Sequence, residues 1–188
     1  SLMSLPTSYA QMLSTVTSKG ELRLALAQVD MPTLGPNEVL IKIEATPINP
    51  SDLGVMFGWS TMTEASTSGS GKDSVLTAPV SPQGMQIMKA RTDQSLPVGN
   101  EGAGTVVATG DSELATSLMG KVVAVMGGGM YAEYRCVDAS MCLPLLAGNT
   151  AKDGASSFIN PLTALSMLET MRMEGHTALV HTAAASNL

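Results

Sequence analysis

The sequence predicts a mostly β fold with an α/β tail: a small barrel or sandwich of short strands, then a helix and one more strand. Three observations predict it. Apolar and polar residues alternate at period two in several short runs. Glycine and proline punctuate those runs. Only near the C-terminal end does the apolar spacing lengthen to a helical one. Apolar residues make up 44% of the 188, enough to build a core at this length.

In chain order, residues 21–29 alternate around Leu22, Leu24 and Leu26, and residues 38–44 around Val39, Ile41 and Ile43. Between them, Pro32, Gly35 and Pro36 mark a turn-rich connection. Residues 105–109 and 121–125 read as further strands bounded by glycine, and 131–137 and 142–146 as shorter ones. Residues 60–95 break the rhythm. They are rich in Ser, Thr, Gly and Pro, and 67–73 is linker-like in composition. The expectation there is a loop insertion on the surface, with a lid over a binding site as the sharper alternative.

Residues 151–173 read as a helix. Asn160 and Pro161 suit its N-cap and first position, and Leu162, Leu165, Leu168 and Met171 line one side. Residues 176–182 form an apolar strand candidate, followed by Ala183-Ala184-Ala185-Ser186-Asn187-Leu188. A strand running into small residues is how a dinucleotide-binding unit opens, and a parallel strand needs neighbours to be satisfied. The expected organisation is a β-rich domain over 1–150 and the start of a truncated dinucleotide-binding domain over 151–188, the chain being a fragment.

Composition excludes several classes. Ten basic residues against sixteen acidic ones, with 3% aromatics, argue against nucleic acid as a partner, which asks for a basic surface and stacking platforms. No apolar run reaches membrane-span length. The opening residues show no basic and apolar leader, so a cytoplasmic location is expected. Cys136 and Cys142 make no disulfide framework.

Three segments can carry chemistry. Thr46-Pro47-Ile48-Asn49-Pro50-Ser51-Asp52-Leu53 reads locally as a capped helix start, with Asn49 as cap and Pro50 at the first position. Gly99-Asn100-Glu101-Gly102-Ala103-Gly104 reads as a bulged strand entry. Gly127-Gly128-Gly129-Met130-Tyr131-Ala132-Glu133-Tyr134 reads as a tight loop with an aromatic edge.

With Gly35-Pro36-Asn37-Glu38-Val39-Leu40, Asn160-Pro161-Leu162-Thr163-Ala164 and His181-Thr182-Ala183-Ala184-Ala185, these segments stand in a familiar order. The chain resembles the N-terminal half of a medium-chain dehydrogenase/reductase, in the zinc-independent NADPH:quinone oxidoreductase and enoyl reductase branch. The resemblance implies a GroES-like barrel followed by the opening helix and first strand of a Rossmann domain. It implies NADPH as cofactor, a small-molecule substrate and a homodimer at full length. Asn49 and Thr163 then lie beside the nicotinamide, and Ala185, Ser186, Asn187 and Leu188 in the phosphate-binding turn. Asn49 and Tyr131 are the catalytic candidates, Tyr131 as donor or substrate-side wall.

Relatives that bind catalytic zinc place a cysteine in the loop matching 49–52 and a histidine before the glutamate matching Glu101. This chain has Pro50, Ser51 and Asn100 there, so no metal is expected. The implied reaction is hydride transfer from NADPH to a quinone or related α,β-unsaturated carbonyl. The alternatives are an enoyl-thioester reductase or a non-catalytic β-barrel interaction module. The thioester reading is weakened because Gly58-Trp59-Ser60-Thr61 lacks the tyrosine such enzymes carry.

Overall fold

The computed structural model describes residues 4–146. The helix expected over 151–173, the strand over 176–182 and the domain division at 150 lie outside the described residues.

The chain opens with a hairpin of β1 (Ser8–Thr17) and β2 (Glu21–Asp30), paired without a break from Ser8↔Asp30 to Thr17↔Glu21. Gly20 turns it at φ +78, a conformation that only glycine takes at no steric cost. β3 (Glu38–Ala45) leads into α1 (Pro50–Phe57), and β4 (Ser66–Ser68), β5 (Val75–Pro79), α2 (Pro82–Ile87) and β6 (Ser95–Pro97) follow. The last part runs through β7 (Glu101–Thr109), α3 (Glu113–Ser117), β8 (Val122–Met126), β9 (Tyr134–Asp138) and β10 (Cys142–Pro144).

The strands form two five-stranded sheets, in the orders β4-β5-β2-β1-β6 and β10-β8-β7-β3-β9. They are laced together where β1 passes the segment ahead of β9. The Met12 N–H donates to the Tyr131 carbonyl at 2.8 Å, and the Glu133 N–H to the Ala10 carbonyl at 3.0 Å. That crossing makes the β9 strand begin at Tyr134 rather than at 131, because Ala132 pairs with Gln11 of the other sheet.

The first core gathers Met12, Val16, Leu22, Leu24, Leu76 and Tyr131, and the second gathers Val39, Ile41, Val106, Val123 and Val137. The alternating residues of β2 and β3 supply both, as the period-two pattern predicts. β1 carries the same pattern with Ser14 interrupting it. Ser14 is fully buried, and its hydroxyl donates to the Met56 carbonyl at 3.0 Å while accepting from Arg91 Nη2 at 3.0 Å. A buried polar side chain is tolerated once it is hydrogen-bonded.

The expectation of a loop insertion over 60–95 is corrected. β5 pairs with β2 from Glu21↔Pro79 to Ala25↔Val75, and β4 pairs with β5. Ala65, Leu76, Ala78, Val80 and Met88 are buried in the first core. The segments are short and Ser/Thr-rich, so composition hid a strand whose inward face is only Leu76 and Ala78. Leu76→Ala is expected to cost roughly 2–5 kcal/mol, as for any buried leucine truncated in a packed core. Urea unfolding checks it; a surface insertion would lose almost nothing.

Candidate functional site

Asn49 ends the segment after β3 in extended backbone (φ −98°, ψ 157°), and Pro50 opens α1, as the local sequence predicts. The Asn49 N–H donates to Asp52 Oδ2 at 2.8 Å, the returning arm of a capping box. The other oxygen of Asp52 reaches a different segment: the Asn100 N–H donates to Oδ1 at 2.9 Å. One carboxylate therefore ties the start of α1 to the entry of β7. Asp52 is 1% exposed.

Tyr131 closes the arrangement from below. It is 1% exposed, and its hydroxyl donates to the Pro47 carbonyl at 2.8 Å. Gly99 makes room for it. At φ +98, a Cβ there would stand 2.5 Å from Tyr131 Cδ1. The Tyr131 N–H donates to the Val98 carbonyl at 2.9 Å, and the Gly127 N–H to the Asn100 carbonyl at 3.1 Å. The three segments singled out in the sequence thus meet around Asp52.

The polar ends face outward. Asn49 Nδ2 donates to Glu101 Oε2 at 3.2 Å, and Asn100 Nδ2 to Ser51 Oγ at 2.6 Å. Asn49, Asn100 and Glu101 are half-buried and Ser51 is exposed. Burial pushes the Asp52 carboxyl up. The Asn49 and Asn100 N–H groups pull it down, the Glu101 charge raises it, and the Tyr131 hydroxyl lowers it. Burial, then the Asp52 charge, pushes the Tyr131 phenol far above its ordinary value, so it stays protonated at any physiological pH.

The structure brings Asn49 and Tyr131 into one cluster at different depths. Asn49 stands at the lip. Tyr131 lies beneath, its hydroxyl committed to Pro47, where it braces the Asn49 loop rather than facing an open surface. Thr163, Ala185, Ser186, Asn187 and Leu188 lie outside the described residues. The central role of Asp52 was not drawn from the sequence, although Asn49-x-x-Asp52 carries the spacing of a capping box.

Where zinc-binding relatives would present ligands, Asn100 and Ser51 are hydrogen-bonded to each other. Among the described residues no group of three or more His, Cys, Asp or Glu could hold a metal ion. Cys136 and Cys142 are free. Their thiols are pushed up to about 11, by burial first, so they stay protonated at neutral pH. Two carboxamides, a hydroxyl and a carboxylate suit the neutral amide and the ribose hydroxyls at the nicotinamide end of a dinucleotide. They do not suit its phosphates, because the carboxylates of Asp52 and Glu101 stand at this end of α1 and no cation accompanies them in the cluster.

Residues 35–147 match the family described as alcohol dehydrogenase GroES-like domain. No curated protein matches the chain. Among solved structures, the chain is similar to a candidate NADPH:quinone reductase from Mesorhizobium loti, at 30% identity and a TM-score of 0.52, over 92% of this chain and 46% of that one. It also shares its fold with 2-octenoyl-CoA carboxylase reductase CinF from a Streptomyces species (22% identity, TM-score 0.50, 84% and 43% covered). The human synaptic vesicle membrane protein VAT-1 homolog-like protein shares it too (18% identity, TM-score 0.52, 79% and 39% covered). The chain spans less than half the length of these structures. Among the described residues no helix is long and apolar enough to cross a membrane.

Proposed function

This chain belongs to the alcohol dehydrogenase GroES-like domain family, and from that premise we propose that it forms the substrate-side domain of a zinc-free oxidoreductase that reduces quinones or related α,β-unsaturated carbonyls with NADPH. The observation that carries this reading is the meeting of the Asn49, Asn100 and Tyr131 segments on the buried Asp52. The similarity to the Mesorhizobium loti protein supports it. Residues beyond 146, among them Thr163 and the turn at Ala185, Ser186, Asn187 and Leu188, are assigned to the cofactor by the same reading.

Asn49 and its neighbours would hold the nicotinamide end, and the cofactor when bound supplies the hydride. The work of this domain is positioning, which can supply a large part of a rate enhancement. Asp52 fixes the backbone of Asn49 through its N–H, and Glu101 orients the carboxamide from the other side. The carboxamide oxygen of Asn49, which the capping box sets towards the Asp52 N–H, keeps a lone pair to accept from a ribose hydroxyl or the cofactor amide. Tyr131 keeps the loop from shifting by holding Pro47. A quinone or enone asks only for hydrogen-bond donors at its developing oxyanion, so the Asn100–Ser51 pair needs no metal in its place.

The expected result is NADPH oxidation on addition of a small quinone by the protein carrying its nucleotide-holding part. Asn49→Ala is expected to lower kcat/KM by about 10- to 100-fold, the cost of losing one or two positioned hydrogen bonds. Absence of turnover with any quinone or enone, in a folded protein that binds NADPH, discards the assignment. Comparing a crotonyl-type thioester with quinones as substrates decides between this reading and the enoyl-thioester alternative. About one tightly held zinc per chain in purified protein overturns the metal-free reading. A small-molecule acceptor, homodimeric assembly and a cytoplasmic location belong to the same proposal.

A further inference from the structure

Beside the Asn49 cluster stands a group of side chains that the proposed reaction does not use. Gln11, in β1, is 8% exposed, and its carboxamide, which no side chain of the described residues engages, keeps its polar end at solvent. It opens into a depression of about 270 Å³ whose other walls are Pro97, Gly127, Gly128, Gly129 and Arg135.

Arg135 is pinned along one edge. Its Nε and Nη2 both donate to the Gly128 carbonyl, at 3.2 and 3.0 Å. This leaves Nη1 and the second Nη2 proton with donors to spare. The ion pair among the described residues is Lys72 with Glu133, so Arg135 has no carboxylate partner there, in a chain of net charge −6. The rim is kept low by Gly127, Gly128 and Gly129, all at positive φ. A Cβ on Gly129 would stand 3.2 Å from Gln11 Nε2 and 3.3 Å from Arg135 Nε.

We propose that this depression binds a small oxyanion, a carboxylate or a phosphoryl group, gripped by the free edge of the Arg135 guanidinium and the Gln11 amide. A planar fork with spare donors is the group best shaped for either oxyanion. Gln11 supplies a neutral donor beside it, and Pro97 an apolar side for the rest of the ligand. Through Gly127, whose N–H meets the Asn100 carbonyl, the site adjoins the cluster around Asp52. It stands apart from the reductase reading, because occupancy is read without turnover.

The test titrates the isotope-labelled full chain with sodium phosphate and, separately, sodium acetate at constant ionic strength, following the amide signals of Gly127–Gly129 and the Gln11 side chain by NMR. Saturable shifts confined to these groups are expected. Arg135→Gln is expected to weaken them about tenfold or more, and Gln11→Met about three- to fivefold. Arg135→Lys, which keeps the charge and loses the fork, falls between. Should Arg135→Gln disturb the Gly128 loop, Gln11→Met carries the decision, because it leaves the guanidinium in place. A response to phosphate alone assigns a phosphoryl ligand, and to acetate alone a carboxylate. Shifts that do not saturate, or that persist unchanged in both Arg135→Gln and Gln11→Met, overturn the proposal.

Discussion

Asp52→Ala is expected to destabilise the fold by roughly 2–5 kcal/mol, measured as a shift of the urea midpoint at unchanged slope. Two backbone N–H groups lose their acceptor at once, those of Asn49 and Asn100, and each buried unsatisfied group costs about 1–3 kcal/mol. The same change frees the start of α1 from the entry of β7, so the NADPH-dependent turnover proposed above should fall beyond what stability alone explains. Asp52→Asn is the informative companion: it keeps the shape and one acceptor oxygen, and loses the charge. Burial raises the folded-state carboxyl above its ordinary 3.8. The folded protein therefore holds this proton more tightly than the unfolded chain does. The contribution of Asp52 to stability is at its best below that ordinary value, falls as pH rises towards the folded value, and is flat above it. The difference in unfolding free energy between wild type and Asp52→Asn should show that fall. A difference that grows with pH would mean that the N–H donors outweigh burial.

Gly99→Ala is expected to be nearly as damaging, at roughly 2–5 kcal/mol. Two costs add. The residue sits at φ +98, a strained position for any side chain, worth about 1–3 kcal/mol. Its Cβ would also press on Tyr131, 2.5 Å from Cδ1 and 2.8 Å from the backbone nitrogen, and overpacking of this kind costs about 1–3 kcal/mol. Gly120→Ala is the control. It has φ +75 but nothing within 4 Å of the added Cβ, so it should show the strain cost alone, near 1 kcal/mol. If the two variants lose the same stability, Tyr131 is not held against Gly99 in the way the structure shows. The consequence for function runs through neighbours. A displaced Tyr131 releases Pro47, and a displaced Gly99 moves the Asn100 N–H off Asp52.

Where one inward face is continuous, the sequence declares the strand. β2 and β3 read directly, because Leu22 and Leu24, and Val39, Ile41 and Ile43, recur at period two. β7 and β8 read almost as well. β1 did not read at all, because Ser14 stands where an apolar residue is expected, and its satisfaction by Met56 and Arg91 comes from far along the chain. β4 and β5 were hidden by brevity: a strand that buries only two residues has no period to detect. At the site, local signals gave Asn49 as a cap and the segment from Gly99 as a bulged strand entry. They did not give Asp52 its second partner, since a hydrogen bond between residues 48 positions apart leaves no mark on either segment. Tyr131 was legible as a member of the site. Its depth was not, because the aromatic residue that follows a glycine loop can stand on either side of it.

The central claim is that the Asn49 lip, held by Asp52, faces a bound nicotinamide. A crystal structure of the protein with its nucleotide-holding part and NADPH tests this most directly. The account predicts the nicotinamide amide or its ribose within about 3 Å of the Asn49 carboxamide, with the Asn49–Asp52–Asn100 bonds unchanged. A nicotinamide ring seated elsewhere, with Asn49 still paired only to Glu101 and turned away from it, would contradict the account.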